Sequence, residues 1–125
     1  VEPAAIERAI AAAAEHGAAL LAVPATDTIK VSSDGLHTET TPDRGVLWSA
    51  QTPQAFQIER FKKLLERAEA EGFRPTDDAA LYEKYVGGVA IARGDAHNIK
   101  LTTPDDLPLA TAILRARAAR GAQRT

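Results

Sequence analysis

Lys100 stands in "NIKLTTPDDL", Asn98 to Leu107, where an apolar stretch passes directly into a helix start. A cation beside a helix N-terminus is unfavourable by itself, because the helix dipole favours an anion there. The pair gains a purpose if the two together hold an anion, above all a phosphate group. A lysine whose stem covers apolar surface while its head reaches water satisfies the same pattern, and the residues alone leave both readings open. Thr76 in "PTDDAA" offers a second helix N-terminus with a hydroxyl, and it serves equally as a plain cap. Thr52 sits with Gln51 inside the apolar and aromatic run "WSAQTPQAF" and precedes Pro53, which is also a turn pattern. Arg44 in "PDRG" is, by pattern, a solvated loop charge. No nucleophile and base stand together, and neither GxGxxG nor a P-loop occurs, so a covalent mechanism has no support. Cysteine is absent, and His16, His37 and His97 lack metal-ligand spacing, so no metal site is expected among these residues.

The elements that must position these side chains follow from patterning. The 125 residues are 45% hydrophobic and 26% charged, the balance of one globular domain. A net charge of −2 gives no basic face for a nucleic acid polymer, although a small nucleotide pocket needs only a few cations. No apolar run reaches the ~18 residues of a membrane span, so a cytoplasmic location is the default expectation. Glu2 to His16 predicts a helix with Pro3 in its first turn, Gly17 at its end, and a core face of Ile6, Ile10 and alanines. "AALLAVP" is apolar at every position and predicts a central strand covered on both faces in a parallel sheet.

From Asp27 to Ala50, "DTIKV" and "LHTETT" flank the turn "SSDG", and "VLWSA" follows a break at "PDRG". "LHTETT" has almost nothing to bury, so this hairpin excursion requires solvent or a second chain, such as an arm exchanged between identical subunits. "FQIERFKKLLERAEAEG" carries one apolar stripe, Ile58, Phe61, Leu64, Leu65 and Ala68, and predicts a helix ended by Gly72. A short helix capped by Thr76 follows, then two brief strands at "GVAIARG" and "HNIKL". The last helix starts at "TPDDL", with Thr103 as cap, Pro104 at the first position, Asp106 near the acid position of a capping box and Pro108 making the start irregular. The layout is α/β with too few strands for a self-sufficient doubly wound sheet.

In order and spacing, "VPATDTIK", "GVLWSAQTPQAF", "PTDDAALYEKYVG" and "NIKLTTPDDL" resemble the carboxyl-terminal half of the 2-C-methyl-D-erythritol 4-phosphate cytidylyltransferase family, over about Ala18 to Leu109. The most specific pieces are Trp48 to Gln54 and Asn98 to Leu107. The resemblance implies the C-terminal portion of a Rossmann-like nucleotidyltransferase fold, with a protruding β-hairpin arm at about 27–50 that forms a homodimer. It implies a cytoplasmic enzyme of non-mevalonate isoprenoid biosynthesis that joins CTP to 2-C-methyl-D-erythritol 4-phosphate and releases pyrophosphate with Mg²⁺.

By the same resemblance, Lys100 and Arg44 are the catalytic pair that positions the sugar phosphate, Arg44 reaching into the neighbouring subunit's site. Thr28, Thr52 and Thr76 match hydroxyls of the sugar-phosphate pocket, and Asp27 and Lys30 are assigned no direct role. The family's amino-terminal half carries the glycine-rich CTP loop and an acidic metal-contacting segment, and neither occurs in these residues. The chain is therefore expected to be a partial domain that is inactive alone. A ribitol 5-phosphate cytidylyltransferase and a non-catalytic, arm-mediated dimerisation module are the competing expectations. The tail "RARAARGAQRT" is compatible with a frayed helix end or with continuation into a fused cyclodiphosphate synthase.

Overall fold

The computed structural model of the chain describes residues 1–122. Its first helix, α1 (Pro3–His16), begins with proline where no amide partner is required, and stops at Gly17, whose φ of 90° lets its N–H reach the carbonyl of Ala13. The buried face of α1 is Ala5, Ala9 and Ala13, spaced by four, while Ile10 is 58% exposed and Ile6 half-buried. The expected isoleucine face is thus corrected. Small side chains let the helix lie close to the sheet, and that close approach turns the larger residues outward.

The sheet has three strands in the order β2 (Trp48–Phe56), β1 (Ala18–Pro24), β3 (Ala90–Arg93). β1 is central, as its uniform apolarity predicts, but the sheet is mixed: β1 runs antiparallel to β2 and parallel to β3. Ala18 to Ala22 are all buried, because successive side chains enter two different layers. Leu21 packs with Ala5, Ala9 and Ala92 under α1, whereas Leu20 and Ala22 pack with Ala79 on the opposite face. The β1–β2 register shifts between Leu20 and Leu21, opposite the stretch of β2 that contains the cis Thr52–Pro53 bond.

That opposite face is covered by α2 (Ile58–Glu71) and α3 (Asp78–Tyr85). Leu64 and Ala68 of α2, with Leu81 and Tyr82 of α3, close a core against Ala18, Phe56 and Phe61. Ile58, at 69% exposure, and Leu65 fall off the buried stripe predicted for this helix. Gly72 ends α2 in the left-handed region at φ 66°, as the sequence predicts. The cap of α3 is Asp77, which accepts the N–H of Ala80 at 2.8 Å; the expected Thr76 cap lies one residue too early.

Three other expectations are corrected. The arm carries only the isolated Val31–Thr40 bridge, so "DTIKV" and "LHTETT" follow a hairpin path without a strand ladder. Side chains hold that path: Lys30 Nζ donates to Thr41 Oγ1 at 2.8 Å, and Ser33 donates from both its amide and its hydroxyl to Glu39. At the turn the His37 ring and the amides of His37 and Leu36 bind Asp34, holding its carboxyl well below the usual carboxylate range. "HNIKL" is not a strand, because after Arg93 the chain turns off the sheet through Gly94 and closes a turn from Asn98 N to Asp95 O at 2.9 Å. Finally, α4 (Asp106–Ala122) starts beyond Thr103 and Pro104, after the irregular first turn that Pro108 predicts. Of the basic tail, positions 123–125 lie outside the described residues.

Candidate functional site

A cleft of about 470 Å³ opens between β2 and the irregular stretch that follows β3. Ser49, Gln51, Thr52 and Gln54 come from β2, Asp77 from the start of α3, and Asn98, Ile99 and Lys100 from the 94–100 loop. Its loop wall leaves the carboxyl end of β3, the end of a parallel strand at which open α/β sheets collect ligands. Thr52 and Lys100, 48 positions apart in the chain, therefore share one wall system. Thr76 directly precedes Asp77 and is exposed beside this cleft.

Thr28 and Arg44 are not brought into the cleft. Both are exposed, on the arm, where Arg44 opens a 3-10 turn (Arg44–Val46) and donates from Nη1 to the carbonyl of Thr26 at 2.9 Å. Asp43 caps that turn by accepting the N–H of Gly45 at 2.9 Å. The guanidinium thus fastens the two legs of the arm at its root and keeps its remaining donors toward solvent.

Among the described residues, no carboxylate forms an ion pair with Lys100. Its ammonium is exposed and available to an anion. The neighbouring helix start does not present free amides, however. The Asp106 carboxylate accepts the N–H groups of Thr102 and Thr103 at 2.8 and 2.9 Å, and both hydroxyls as well. These bonds hold its carboxyl below its ordinary value, the amides of Thr102 and Thr103 contributing most. The sequence reading of Lys100 and this helix start as joint anion holders is therefore revised: Asp106 already occupies the amides, and the cation is left to act alone.

Three amide side chains organise the walls, and of these the sequence pattern singles out only Gln51. Gln54 donates from Nε2 to Asp77 Oδ2 and accepts the N–H of Ala79 on Oε1, each at 2.9 Å. Gln51 binds both backbone groups of Asp95, and Asn98 binds the carbonyl of Thr52. The available signal was a Gln at two positions of β2, each with a side chain long enough to reach a neighbouring loop. Asp95 in turn accepts the His97 amide at 2.6 Å, which lowers its carboxyl pKa.

The donor set does not fit Mg²⁺. Among the described residues no group of three or more His, Asp or Glu gathers as metal ligands, and both oxygens of Asp77 are already engaged. No helix of the described residues is long and apolar enough to cross a membrane.

The family model described as "IspD: 2-C-methyl-D-erythritol 4-phosphate cytidylyltransferase" matches residues 1–116. A cytidylyltransferase of that name from Bacillus licheniformis is 53% identical over 111 residues, covering 89% of this chain and 48% of its own length. Another from Syntrophotalea carbinolica is 48% identical over 112 residues, with 90% and 48% covered. The chain spans about half the length of the curated relatives it matches. Among solved structures, the Thermus thermophilus enzyme aligns with a TM-score of 0.80 at 31% identity, covering 92% of this chain and 56% of that one. The Francisella tularensis enzyme aligns at 0.81 and 27%, with 90% and 54% covered. These neighbours carry the Rossmann-like fold that the sequence resemblance implies.

Proposed function

Because the chain belongs to the 2-C-methyl-D-erythritol 4-phosphate cytidylyltransferase family, we propose that it is the sugar-phosphate half of an enzyme joining CTP to 2-C-methyl-D-erythritol 4-phosphate. The substrate phosphate oxygen forms a bond to the α-phosphorus of CTP, the bond from that phosphorus to the β-phosphate oxygen breaks, and pyrophosphate leaves. The products are 4-diphosphocytidyl-2-C-methyl-D-erythritol and pyrophosphate. The observation that carries this reading is the cleft that gathers Thr52 and Lys100 beside the start of α3.

Two polyanions must meet in such a transfer, and a fixed cation offsets their repulsion and the charge on the phosphoryl oxygens. Lys100 supplies that cation, and the hydroxyls of Thr52, Thr76 and Thr28 orient the sugar phosphate. Arg44 acts from the arm in the site of a second copy, within a cytoplasmic homodimer. The arm's exposed threonines and the 84% exposed Leu36 at its turn support that role, since among the described residues they join no core cluster. Mg²⁺ and the CTP phosphates would be held by residues outside these 125.

The test is pyrophosphate release by a chain of the relatives' full length that carries these residues, supplied with CTP and either methylerythritol phosphate or ribitol 5-phosphate. Preference for methylerythritol phosphate, with no release from the 125 residues alone, is the expected result. Preference for ribitol 5-phosphate would move the substrate assignment, and a pyrophosphate burst from the 125 residues alone would overturn the partial-domain reading.

A further inference from the structure

Lys100 rides on a stretch with neither helix nor strand, between the end of β3 and the start of α4. Such a stretch would wander by ångströms if only its ends were fixed. Two side chains of the cleft prevent this. The Gln51 amide brackets Asp95, donating from Nε2 to its carbonyl at 2.8 Å and accepting its N–H on Oε1 at 3.3 Å. Gln51 belongs to β2 and Asp95 follows β3, so this fork spans the central strand. Asn98 Nδ2 donates to the carbonyl of Thr52 at 2.7 Å, two residues before Lys100.

Gly94 makes the fork possible. A Cβ there would stand 2.1 Å from Gln51 Oε1 and 3.2 Å from the carbonyl of Ala22, to which the Gly94 N–H is bonded at 2.9 Å. A side chain there fits only by pushing the Gln51 amide away from Asp95.

We propose that Gln51 and Asn98 are positioning residues for the transfer: they clamp the 94–100 loop onto β2 and thereby set where the Lys100 ammonium stands over the cleft. The proposal rests on the function proposed above. The amide fork suits this task because it satisfies both backbone groups of one residue, fixing direction as well as distance. The Asn98 bond then ties the backbone of Thr52 to the loop that carries Lys100, so two candidate substrate contacts move as one unit. A displacement near 1 Å of a catalytic cation lowers a rate by roughly 10²-fold, and the clamp is what opposes it.

The experiment is a double-mutant cycle in the full-length enzyme, together with hydrogen exchange of the loop amides. Gln51→Ala and Asn98→Ala are each expected to lower kcat by about 10- to 100-fold, with a smaller change in KM. Gln51→Glu, which keeps the acceptor for the Asp95 amide and loses the donor, should fall between. Gly94→Ala should reproduce Gln51→Ala by pushing that side chain away. In a Lys100→Ala background the same changes should add little further loss, because they act through Lys100. Exchange at residues 95–100 should quicken in the Gln51 and Asn98 variants while the melting temperature of the domain holds.

Losses that add fully in the Lys100→Ala background, or loop exchange that does not change, would overturn the clamp and leave the proposed function standing. Full transfer by Lys100→Ala would instead remove the assignment of Lys100 and, with it, the purpose of the clamp.

Discussion

Gln54 Nε2 donates to Asp77 Oδ2 at 2.9 Å, joining the middle of β2 to the N-terminus of α3. The same amide accepts the N–H of Ala79 at 2.9 Å, while Asp77 Oδ1 takes the N–H of Ala80 at 2.8 Å. Two of the amides that a helix start leaves without intrahelical partners are thus satisfied by one strand residue and one cap. The arrangement holds the backbone next to Thr76 against the cleft.

Gln54→Ala should therefore lower stability by roughly 1–3 kcal/mol, since it strands the Ala79 amide and one oxygen of Asp77 in a part-buried place. Gln54→Glu should do at least as much harm, because it replaces the donor with a second carboxylate facing Asp77. Urea unfolding would read this as a lower midpoint at constant slope. An unchanged midpoint for both variants would mean that the bridge contributes nothing to folding.

Lys100→Ala should leave the fold intact, because the side chain is exposed, yet lower transfer by roughly 10²–10³-fold in the full-length enzyme. Arg44→Ala should be similarly impaired. If the arm serves the other subunit, mixing the two inactive variants will rebuild one intact site in each mixed dimer, returning about a quarter of wild-type activity. No recovery on mixing would place Arg44 in its own subunit's site.

Much of this scaffold is legible in local chemistry. Pro3 and Gly17 bound α1, Gly72 ends α2, and the uninterrupted apolarity of "AALLAVP" marks the central strand. What stays hidden depends on partners distant in sequence. "HNIKL" has the composition of a strand, but Gln51 and Thr52 engage that loop through side-chain bonds instead of a ladder. Thr76 and Asp77 are both competent caps, and the choice falls to Asp77 because Gln54 holds its other oxygen. Ile10 looks like core until the alanines set the approach of α1 to the sheet. For the site, Thr52 and Lys100 meet in one cleft, whereas Thr28 and Arg44 stay out on the arm. Periodicity does not encode whether an arm is completed by another chain.

Gly17 combines a backbone and a packing demand. Its φ of +90° is disfavoured for residues with a Cβ, and an added Cβ would stand 2.7 Å from the Tyr82 hydroxyl oxygen. Tyr82 is buried in the core of α2 and α3, so it has little room to give. Gly17→Ala should destabilise by at least about 1 kcal/mol through the left-handed backbone alone. Gly35→Ala is the control: φ is +70°, but nothing stands within 4 Å, so only the backbone part applies. Thermal unfolding should rank Gly17→Ala as the more harmful, and equal melting temperatures would deny any role to the Tyr82 contact.

The start of α4 should respond to acid through Asp106. Its carboxyl is held below the ordinary aspartate value of 3.8 by the amides of Thr102 and Thr103 and then by the Thr102 hydroxyl. A carboxyl with a lowered folded-state pKa stabilises fully above its unfolded value and loses that contribution as pH falls through the folded value. The turn before α4 should accordingly be unchanged from neutral pH down to about pH 5, and should loosen below 3.8, where the unfolded chain takes up the proton first. Amide resonances of Thr102 and Thr103 would report it, shifting with an apparent pKa under 3.8 as their acceptor is protonated. Asp106→Asn should abolish that titration and loosen the turn at every pH, because a neutral amide oxygen is a weaker acceptor for several donors at once. A midpoint at or above 3.8 would show that the carboxylate is not bound by these amides in solution.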